Sequence, residues 1–310
     1  MPAASQAAEP HRPPAAPGGF LDAQALGALA HLRFATRHQI DGTYSGRHRS
    51  RQQGGAAEFA DYREYVEGED LRRLDWKVLA RTGRAYVRLF QDETNLRCTL
   101  AVDASGSMAF AGRGGRSKLE YVQWLATAFA HVIARQQDQV GLAVISDGLA
   151  DLRAPGGRGA HLLGIQETIE GLRTKPKTDL AGGLREVFTR VPRRGVLLVM
   201  SDFLVDDPEV VFASLRLFRH RRWEVILLHI IHPEEERLPG GAAYRFEGLE
   251  GEGRIDASPA DVRRLYEEAF ATYCARVRDL ALASGCEYRR VSTATPYLET
   301  VGGFLVERAG

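Results

Sequence analysis

The stretch Leu96-Arg-Cys-Thr-Leu-Ala-Val-Asp-Ala-Ser-Gly-Ser-Met108 joins an apolar run to a polar loop. A short apolar run of this kind is typical of a buried strand, and the polar residues begin where the run ends. In an open α/β sheet, ligands bind outside the carboxyl ends of the strands. The stretch therefore predicts a strand that carries Asp103, Ser105 and Ser107 to a binding edge.

Short apolar runs alternate with longer amphipathic stretches along the rest of the chain. The predicted strands are residues 96–102, 139–145, 196–201, 224–231 and 287–291, and the predicted helices are residues 118–135, 161–172, 180–191, 208–221 and 259–284. Residues 149–153 follow Asp147-Gly148 closely enough to form a hairpin with the second strand. This alternation predicts an α/β fold with a doubly wound, mostly parallel sheet that is covered on both faces.

The chain upstream of this block has a different texture. Residues 1–19 are rich in Ala, Pro and Gly without an apolar segment, which predicts a disordered tail and no signal peptide. Residues 20–95 form a predicted N-terminal appendage, with an amphipathic helix over about 20–37 and an edge strand over 85–91. Residues 96–310 are the predicted α/β domain.

Composition excludes several classes of protein. The 41 basic and 40 acidic residues give a net charge of +1, so nucleic acid is not indicated as the main partner. The stretch from Asp41 to Gly55, with the basic loop Arg47 to Arg51, is interpreted as a solvated loop, and an anion, partner or nucleic-acid contact is the alternative. Tyr44 is its only aromatic residue, so a nucleic-acid platform is poorly supported. The apolar runs are too short to span a membrane. Three cysteines without a disulfide pattern predict a reducing, cytoplasmic compartment.

The oxygen-bearing side chains predict a metal site. Asp103, Ser105 and Ser107 alternate on one loop, and such oxygens suit a hard cation, Mg²⁺ or Mn²⁺. Thr178 precedes a predicted helix and Asp202 ends a central strand, so their loops are able to meet the first one. For Ser105 and Ser107 alone, helix capping is the alternative interpretation.

In residue type and order, this set resembles the metal-ion-dependent adhesion site of the von Willebrand factor A fold. The resemblance implies that Ser105, Ser107 and Thr178 supply hydroxyl ligands, and that Asp103 and Asp202 ligate directly or through water. It also implies a vacant coordination position that an Asp or Glu carboxylate of a partner fills.

The charged run Arg63-Glu-Tyr-Val-Glu-Gly-Glu-Asp-Leu-Arg-Arg-Leu-Asp-Trp76, followed by Ala80-Arg-Thr82, resembles the signature of the DUF58 family. Glu69 and Leu74 depart from that signature, where the family often has Asp and Ile. Members carry a von Willebrand A-type domain and are typically encoded beside MoxR-type AAA+ ATPases, which implies such an ATPase as the partner. From its residues the run is interpreted either as an ion-pair clamp or as a partner-docking surface. The candidate docking residues are Arg63, Arg72, Arg73, Asp75, Trp76 and Arg81.

Motifs for common enzyme chemistries are incomplete. The segment Gly112 to Lys118 has its basic and hydroxyl residues in the wrong order for a phosphate-binding loop, and the Asp103 loop lacks the second Asp of an aspartyl phosphatase. We therefore expect a non-enzymatic, metal-dependent interaction module that works with a MoxR-type ATPase in the chaperone-like maturation of a client protein. The alternative is a metal-dependent, phosphatase-like hydrolase that uses the same oxygen cluster.

Overall fold

The structure is a computed structural model that describes residues 20–36, 49–50, 58–65, 74–93, 96–113, 115–192, 194–239, 244–247, 254–257 and 259–309. Its strands, in chain order, are β1 (Arg49–Ser50), β2 (Glu58–Glu64), β3 (Tyr86–Glu93), β4 (Arg97–Asp103), β5 (Gln139–Ser146), β6 (Gly148–Gly156), β7 (Val196–Ser201), β8 (Glu224–Ile231), β9 (Tyr244–Glu247), β10 (Arg254–Ala257) and β11 (Glu287–Ser292). Its helices are α1 (Ala23–Leu29), α2 (Trp76–Thr82), α3 (Lys118–Arg135), α4 (Gly159–Glu170), α5 (Leu180–Arg190), α6 (Pro208–His220), α7 (Pro233–Glu236), α8 (Pro259–Ala283) and α9 (Tyr297–Ala309). A 3-10 helix, Gly106–Ala109, follows β4.

The central sheet has six strands in the order β11-β8-β7-β4-β5-β6. All neighbouring pairs are parallel except β5 and β6, which form the antiparallel hairpin expected after Asp147-Gly148. The predicted α/β fold with a mostly parallel sheet is confirmed. β7 and β8 are both buried along their whole length, which accounts for their continuous apolar runs.

Helices cover both faces of this sheet, and each face has its own apolar core. Successive side chains of a strand point to opposite faces, so Leu100 and Val102 of β4 join one core while Ala101 joins the other. The first core is completed by α3, α4 and α9, and the second by α5, α6 and α8. This two-layered burial holds the strand ends in place.

The structure corrects the prediction that residues 85–91 add an edge strand to the central sheet, because β3 does not join that sheet. It pairs antiparallel with β2, with Tyr86 opposite Glu64, and with β1 in a separate three-stranded sheet. Residues 65–85, which include α2, separate β2 from β3 in the chain, and a short connection costs little loop-closure entropy. The edges of the central sheet are β11 and β6 instead.

The helix predicted over residues 20–37 spans only Ala23–Leu29 in the structure, because the residues after Leu29 leave the helix to pack in the first core. Asp22 caps α1 by accepting a hydrogen bond from the Ala25 amide (2.7 Å), and the helix ends at Leu29. Phe34 then enters the first core, where its ring lies 6.4 Å from Phe129. In the described part of the chain, no helix has the length and apolar character needed to cross a membrane.

The strand order places β4 at a topological switch point. The chain leaves β4 through α3 to β5 on one side, while β7 lies on the other side of β4. Ligand sites of doubly wound sheets lie where the order reverses in this way, at the carboxyl ends of the strands. Asp103 ends β4 at this point, and Ser201 ends the neighbouring strand β7.

Candidate metal site

Asp103 is buried at the carboxyl end of β4 and anchors the loop that follows. Its Oδ1 accepts a hydrogen bond from the Ser105 amide (2.9 Å), and its Oδ2 accepts one from the Ser201 hydroxyl (2.5 Å). Because β7 lies beside β4, Ser201 reaches Asp103 directly across the sheet. Both carboxylate oxygens of Asp103 therefore have protein donors that fix its orientation.

Ser105 and Ser107 lie together on the loop after β4. Their Oγ atoms are 3.1 Å apart, and the loop turns through the 3-10 helix that begins at Gly106. Ala104 and Met108 are buried in the core and hold the loop against it. The alternation read from the sequence thus brings both hydroxyls to one place beside Asp103.

Thr178 lies on a second loop that is held against the same strand ends. The Lys175 amide donates to the Ala104 carbonyl (2.9 Å), and the Asp179 amide donates to the Ser146 carbonyl at the end of β5 (2.6 Å). Asp179 also caps α5 by accepting a hydrogen bond from the Gly182 amide (2.7 Å). The Thr178 Oγ1 atom is buried and has no hydrogen-bond partner among the residues that the structure describes. Such an orphaned hydroxyl is costly, which makes it the most informative feature of the site.

Asp202 directly follows β7 and is 2% exposed. Its Oδ1 accepts a hydrogen bond from the Leu204 amide (3.1 Å), and its Oδ2 is 2.6 Å from the Nζ atom of Lys118. The Lys118 side chain is fully buried and forms a second ion pair with Glu235. The structure therefore places a buried ammonium group directly beside a predicted metal ligand.

Sequence reasoning missed the role of Lys118 and Glu235. A signal for Lys118 was present, because Ser117 and Glu120 form a capping box that makes Lys118 the first residue of α3. A cation is unfavourable at a helix N-terminus, so a lysine there requires a partner. Glu235 lies in the short helix α7, for which no sequence pattern was recognised.

Burial and neighbouring charges shift the ionisation of the site. Burial raises the pKa of Asp103 to about 6, with the charge of Asp202 adding to the effect and the hydrogen bonds from Ser201 and Ser105 opposing it. Burial alone lowers the pKa of Lys118, but the charges of Asp202 and Glu235 outweigh it, so the pKa lies above its usual value. Close carboxylates in one buried site favour the uptake of positive charge.

The histidine at the end of the neighbouring strand β8 is a packing residue. His229 is 1% exposed, its Nδ1 lies 2.8 Å from the Tyr288 hydroxyl, and its ring contacts Phe203 edge to face. Burial lowers the pKa of His229 to about 4, so the imidazole is neutral at pH 7. These contacts are those of a histidine that packs in the core.

The candidate docking residues fall in several environments. Asp75 is buried and caps α2, with its Oδ1 accepting hydrogen bonds from the Lys77 amide (2.9 Å) and the Val78 amide (3.2 Å). Trp76 is 59% exposed, and Arg81 is exposed in the last turn of α2. Arg63 lies in β2. Arg72 and Arg73 lie outside the described residues, as do Arg47 and Arg51 of the basic loop.

The oxygen atoms at the end of β4 fit a hard cation. Among the described residues, no group of three or more His, Cys, Asp or Glu side chains is arranged to hold a metal ion. The donor set here is different, because it combines the neighbouring Ser105 and Ser107 hydroxyls with the buried carboxylates of Asp103 and Asp202, while Thr178 lies on the loop bonded to Ala104 and Ser146. Mg²⁺ and Mn²⁺ accept such neutral oxygens together with water. Among the described residues the Thr178 hydroxyl has no partner, so it would be free to ligate an ion bound beside its loop.

Comparisons with known proteins identify related sequences. The family model described as "Protein of unknown function DUF58" matches residues 61–276. The uncharacterized protein Rv1480 of Mycobacterium tuberculosis is 30% identical over 233 residues, which cover 74% of this chain and 72% of the relative.

Similar solved structures have lower sequence identity. BatB from Bacteroides thetaiotaomicron is 15% identical with a TM-score of 0.46, and the match covers 69% of this chain and 99% of BatB. The VWA domain of SpRpn10 is 11% identical with a TM-score of 0.40, and the match covers 67% of this chain and 94% of that domain.

Proposed function

The chain belongs to the DUF58 family, and we propose that it is a protein-interaction module that binds a partner carboxylate through a divalent cation held at the Asp103 loop. The cation is Mg²⁺ or Mn²⁺. The partner is a MoxR-type AAA+ ATPase, with which the chain acts in the chaperone-like maturation of a client protein. The resemblance to DUF58 supports the ATPase, and the geometry at the end of β4 supports the ion.

The single observation that carries the ion is the Thr178 hydroxyl. A buried hydroxyl without a partner costs about 1–3 kcal/mol. Thr178 Oγ1 is in this state, on a loop tied to the ends of β4 and β5. A cation bound by Ser105, Ser107 and Thr178 would remove that cost.

The remaining residues orient this donor set. Asp103 holds the Ser105 amide and the Ser201 hydroxyl, and thereby fixes the loop on which both serines lie. Asp103 and Asp202 supply negative charge that favours a cation in a buried position. When bound, the ion would supply a positive centre with a position for an exogenous carboxylate.

Exposed basic residues near the site favour an acidic partner. Lys175 and Lys177 are exposed on the Thr178 loop, and Arg116 is exposed on the segment that leads into α3. Complementary charge steers partners and raises their association rate. We propose an acidic segment of the partner here, with Trp76 and Arg81 of α2 as a separate docking contact.

The cysteines support a reducing compartment, the cytoplasm. Cys98, Cys274 and Cys286 are buried and free. Burial raises the pKa of Cys286 to about 12 and also raises the pKa of Cys98, so both thiols stay protonated and unreactive.

The test is a pull-down of the MoxR-type ATPase from the same genome, with and without Mg²⁺. We expect Asp103→Ala and chelation to abolish capture, while the circular dichroism spectrum stays close to that of the unmodified chain. Asp147→Ala is the matched control, because Asp147 is an exposed carboxylate at the end of β5 and its removal changes the net charge equally. Capture that survives both Asp103→Ala and chelation would refute the bridge.

The same variants test the hydrolase alternative. We expect the chain to leave phosphate esters intact in the presence of Mg²⁺ or Mn²⁺. Turnover that disappears in Asp103→Ala and persists in Asp147→Ala would assign the oxygen cluster to catalysis instead.

A further inference from the structure

We propose that Lys118 is a positioning residue that holds Asp202 away from full engagement with the ion and thereby sets the cation affinity of the site. This inference rests on the proposed function, because it concerns the same oxygen cluster. Neither Lys118 nor its second partner, Glu235, belongs to the predicted ligand set.

The placement of Lys118 requires its two carboxylate partners. Its side chain is fully buried, and its Nζ atom contacts Asp202 Oδ2 at 2.6 Å and Glu235 Oε1. Removing an ammonium group from water costs several kcal/mol unless it is paired. The partners are themselves fixed, because Glu235 Oε2 accepts a hydrogen bond from the His232 amide (2.8 Å) and Asp202 Oδ1 accepts one from Leu204.

Lys118 competes with an ion for Asp202. One oxygen of Asp202 is committed to the ammonium group and the other to a backbone amide, so the carboxylate has reduced capacity for a second cation. The positive charge of Lys118 also repels a divalent ion in the adjacent cluster. Direct coordination then falls to the neutral hydroxyls of Ser105, Ser107 and Thr178. An ion with neutral ligands keeps more of its charge for an anionic partner, so weaker ion binding accompanies stronger attraction of a carboxylate.

Glu235 competes with Asp202 for the ammonium group of Lys118. The ammonium group is shared between the two carboxylates, so its pairing with Glu235 weakens its pairing with Asp202. Removing Glu235 should leave Lys118 to Asp202 alone, whereas removing Lys118 should release Asp202. The two changes therefore act on the ion in opposite directions.

The experiment measures Mg²⁺ binding by titration calorimetry in a double-mutant cycle. Relative to the unmodified chain, we expect Lys118→Met to tighten Mg²⁺ binding about tenfold and Glu235→Gln to weaken it, since residues that orient ligands change metal affinity by about 10- to 100-fold. In the Lys118→Met background, Glu235→Gln should have little further effect, because its action passes through Lys118.

Two controls keep the result interpretable. Glu234→Gln removes the same charge from the same helix, but Glu234 accepts a hydrogen bond from the Arg113 amide and not from Lys118, so we expect a smaller change. Lys118→Met leaves two buried carboxylates without this cation, which could prevent folding. In that case the double variant with Glu235→Gln, which restores the charge balance, replaces it.

The outcomes separate this inference from the proposed function. Additive effects of Lys118→Met and Glu235→Gln, or equal effects of Glu234→Gln and Glu235→Gln, would overturn the positioning role while leaving the ion in place. An unmodified chain that does not bind Mg²⁺, together with a Lys118→Met chain that does, would contradict the proposed function and support the role of Lys118. Absence of binding in every variant would overturn both.

Discussion

Replacing Thr178 by Val should stabilise the ion-free protein and abolish its response to Mg²⁺. The substitution keeps a side chain of similar shape and removes a buried hydroxyl for which the described part of the chain offers no hydrogen-bond partner. Because an unsatisfied buried hydroxyl costs about 1–3 kcal/mol, the free energy of unfolding without Mg²⁺ should rise by up to that amount. With Mg²⁺ at about 100 times its Kd, the unmodified chain should gain about 2.7 kcal/mol and Thr178→Val should gain almost nothing.

The assay is urea unfolding followed by circular dichroism, with and without Mg²⁺. Thr99→Val is the matched control, because the Thr99 Oγ1 atom in β4 is also buried without a partner and lies four residues before Asp103. It should raise the ion-free stability in the same way and keep the full response to Mg²⁺. Destabilisation of the ion-free protein by Thr178→Val would show that the hydroxyl is already satisfied, and a retained Mg²⁺ response would remove Thr178 from the ligand set.

Two further predictions concern charged groups outside the site. Burial raises the pKa of Asp138 to about 6, although the Leu96 amide donates to it. Protonation of Asp138 therefore contributes to the free energy of unfolding below about pH 4, and this contribution is lost as the pH rises through 6. In unmodified protein the free energy of unfolding should differ between pH 4 and pH 7 by up to about 3 kcal/mol on this account, and Asp138→Asn should remove that difference. Urea unfolding at the two pH values measures it. Arg308→Met should lower the free energy of unfolding by about 3–5 kcal/mol, because the buried guanidinium pairs with Glu224 (2.5 Å) and with Glu287. A loss below about 1 kcal/mol in the same assay would mean that water replaces the guanidinium.

The central sheet was predictable because its strands are buried on both faces. Continuous apolar runs, such as Val196–Ser201 and Glu224–Ile231, have few other interpretations when amphipathic helices separate them. The helix over 118–135 was also predicted with its observed bounds, since its capping box and its periodicity agree. Where local signals and tertiary burial indicate the same element, the sequence alone was sufficient to predict it.

The elements that the sequence did not reveal depend on distant contacts. The helix α9 contains Gly302 and Gly303, which lower helix propensity, and it is held by the burial of Val301, Phe304 and Leu305. The end of α1 is set by the same core, which Phe34 enters from outside the helix. Local periodicity contains no information about such packing partners.

The candidate site divides in the same way. The alternation after β4 placed Asp103, Ser105 and Ser107 correctly, because strand ends and loop spacing are local properties. The burial of Lys118 between Asp202, which follows β7, and Glu235, which lies in α7, is a property of the assembled fold. The capping box marks Lys118 as the first residue of α3 and favours a partner for its charge, but a lysine there is usually solvated, so the sequence did not show that the ion pair would be buried.

The hydrogen bonds from the Lys175 and Asp179 amides to the ends of β4 and β5 have a thermodynamic consequence. They hold the segment between these two residues on both sides, so its conformational freedom is lost when the chain folds and not when a ligand arrives. An incoming ligand meets oxygens that are already oriented, and the dehydration of that ligand becomes the main barrier to its capture. Release would then proceed without melting the segment, which suits a contact that has to form and break repeatedly.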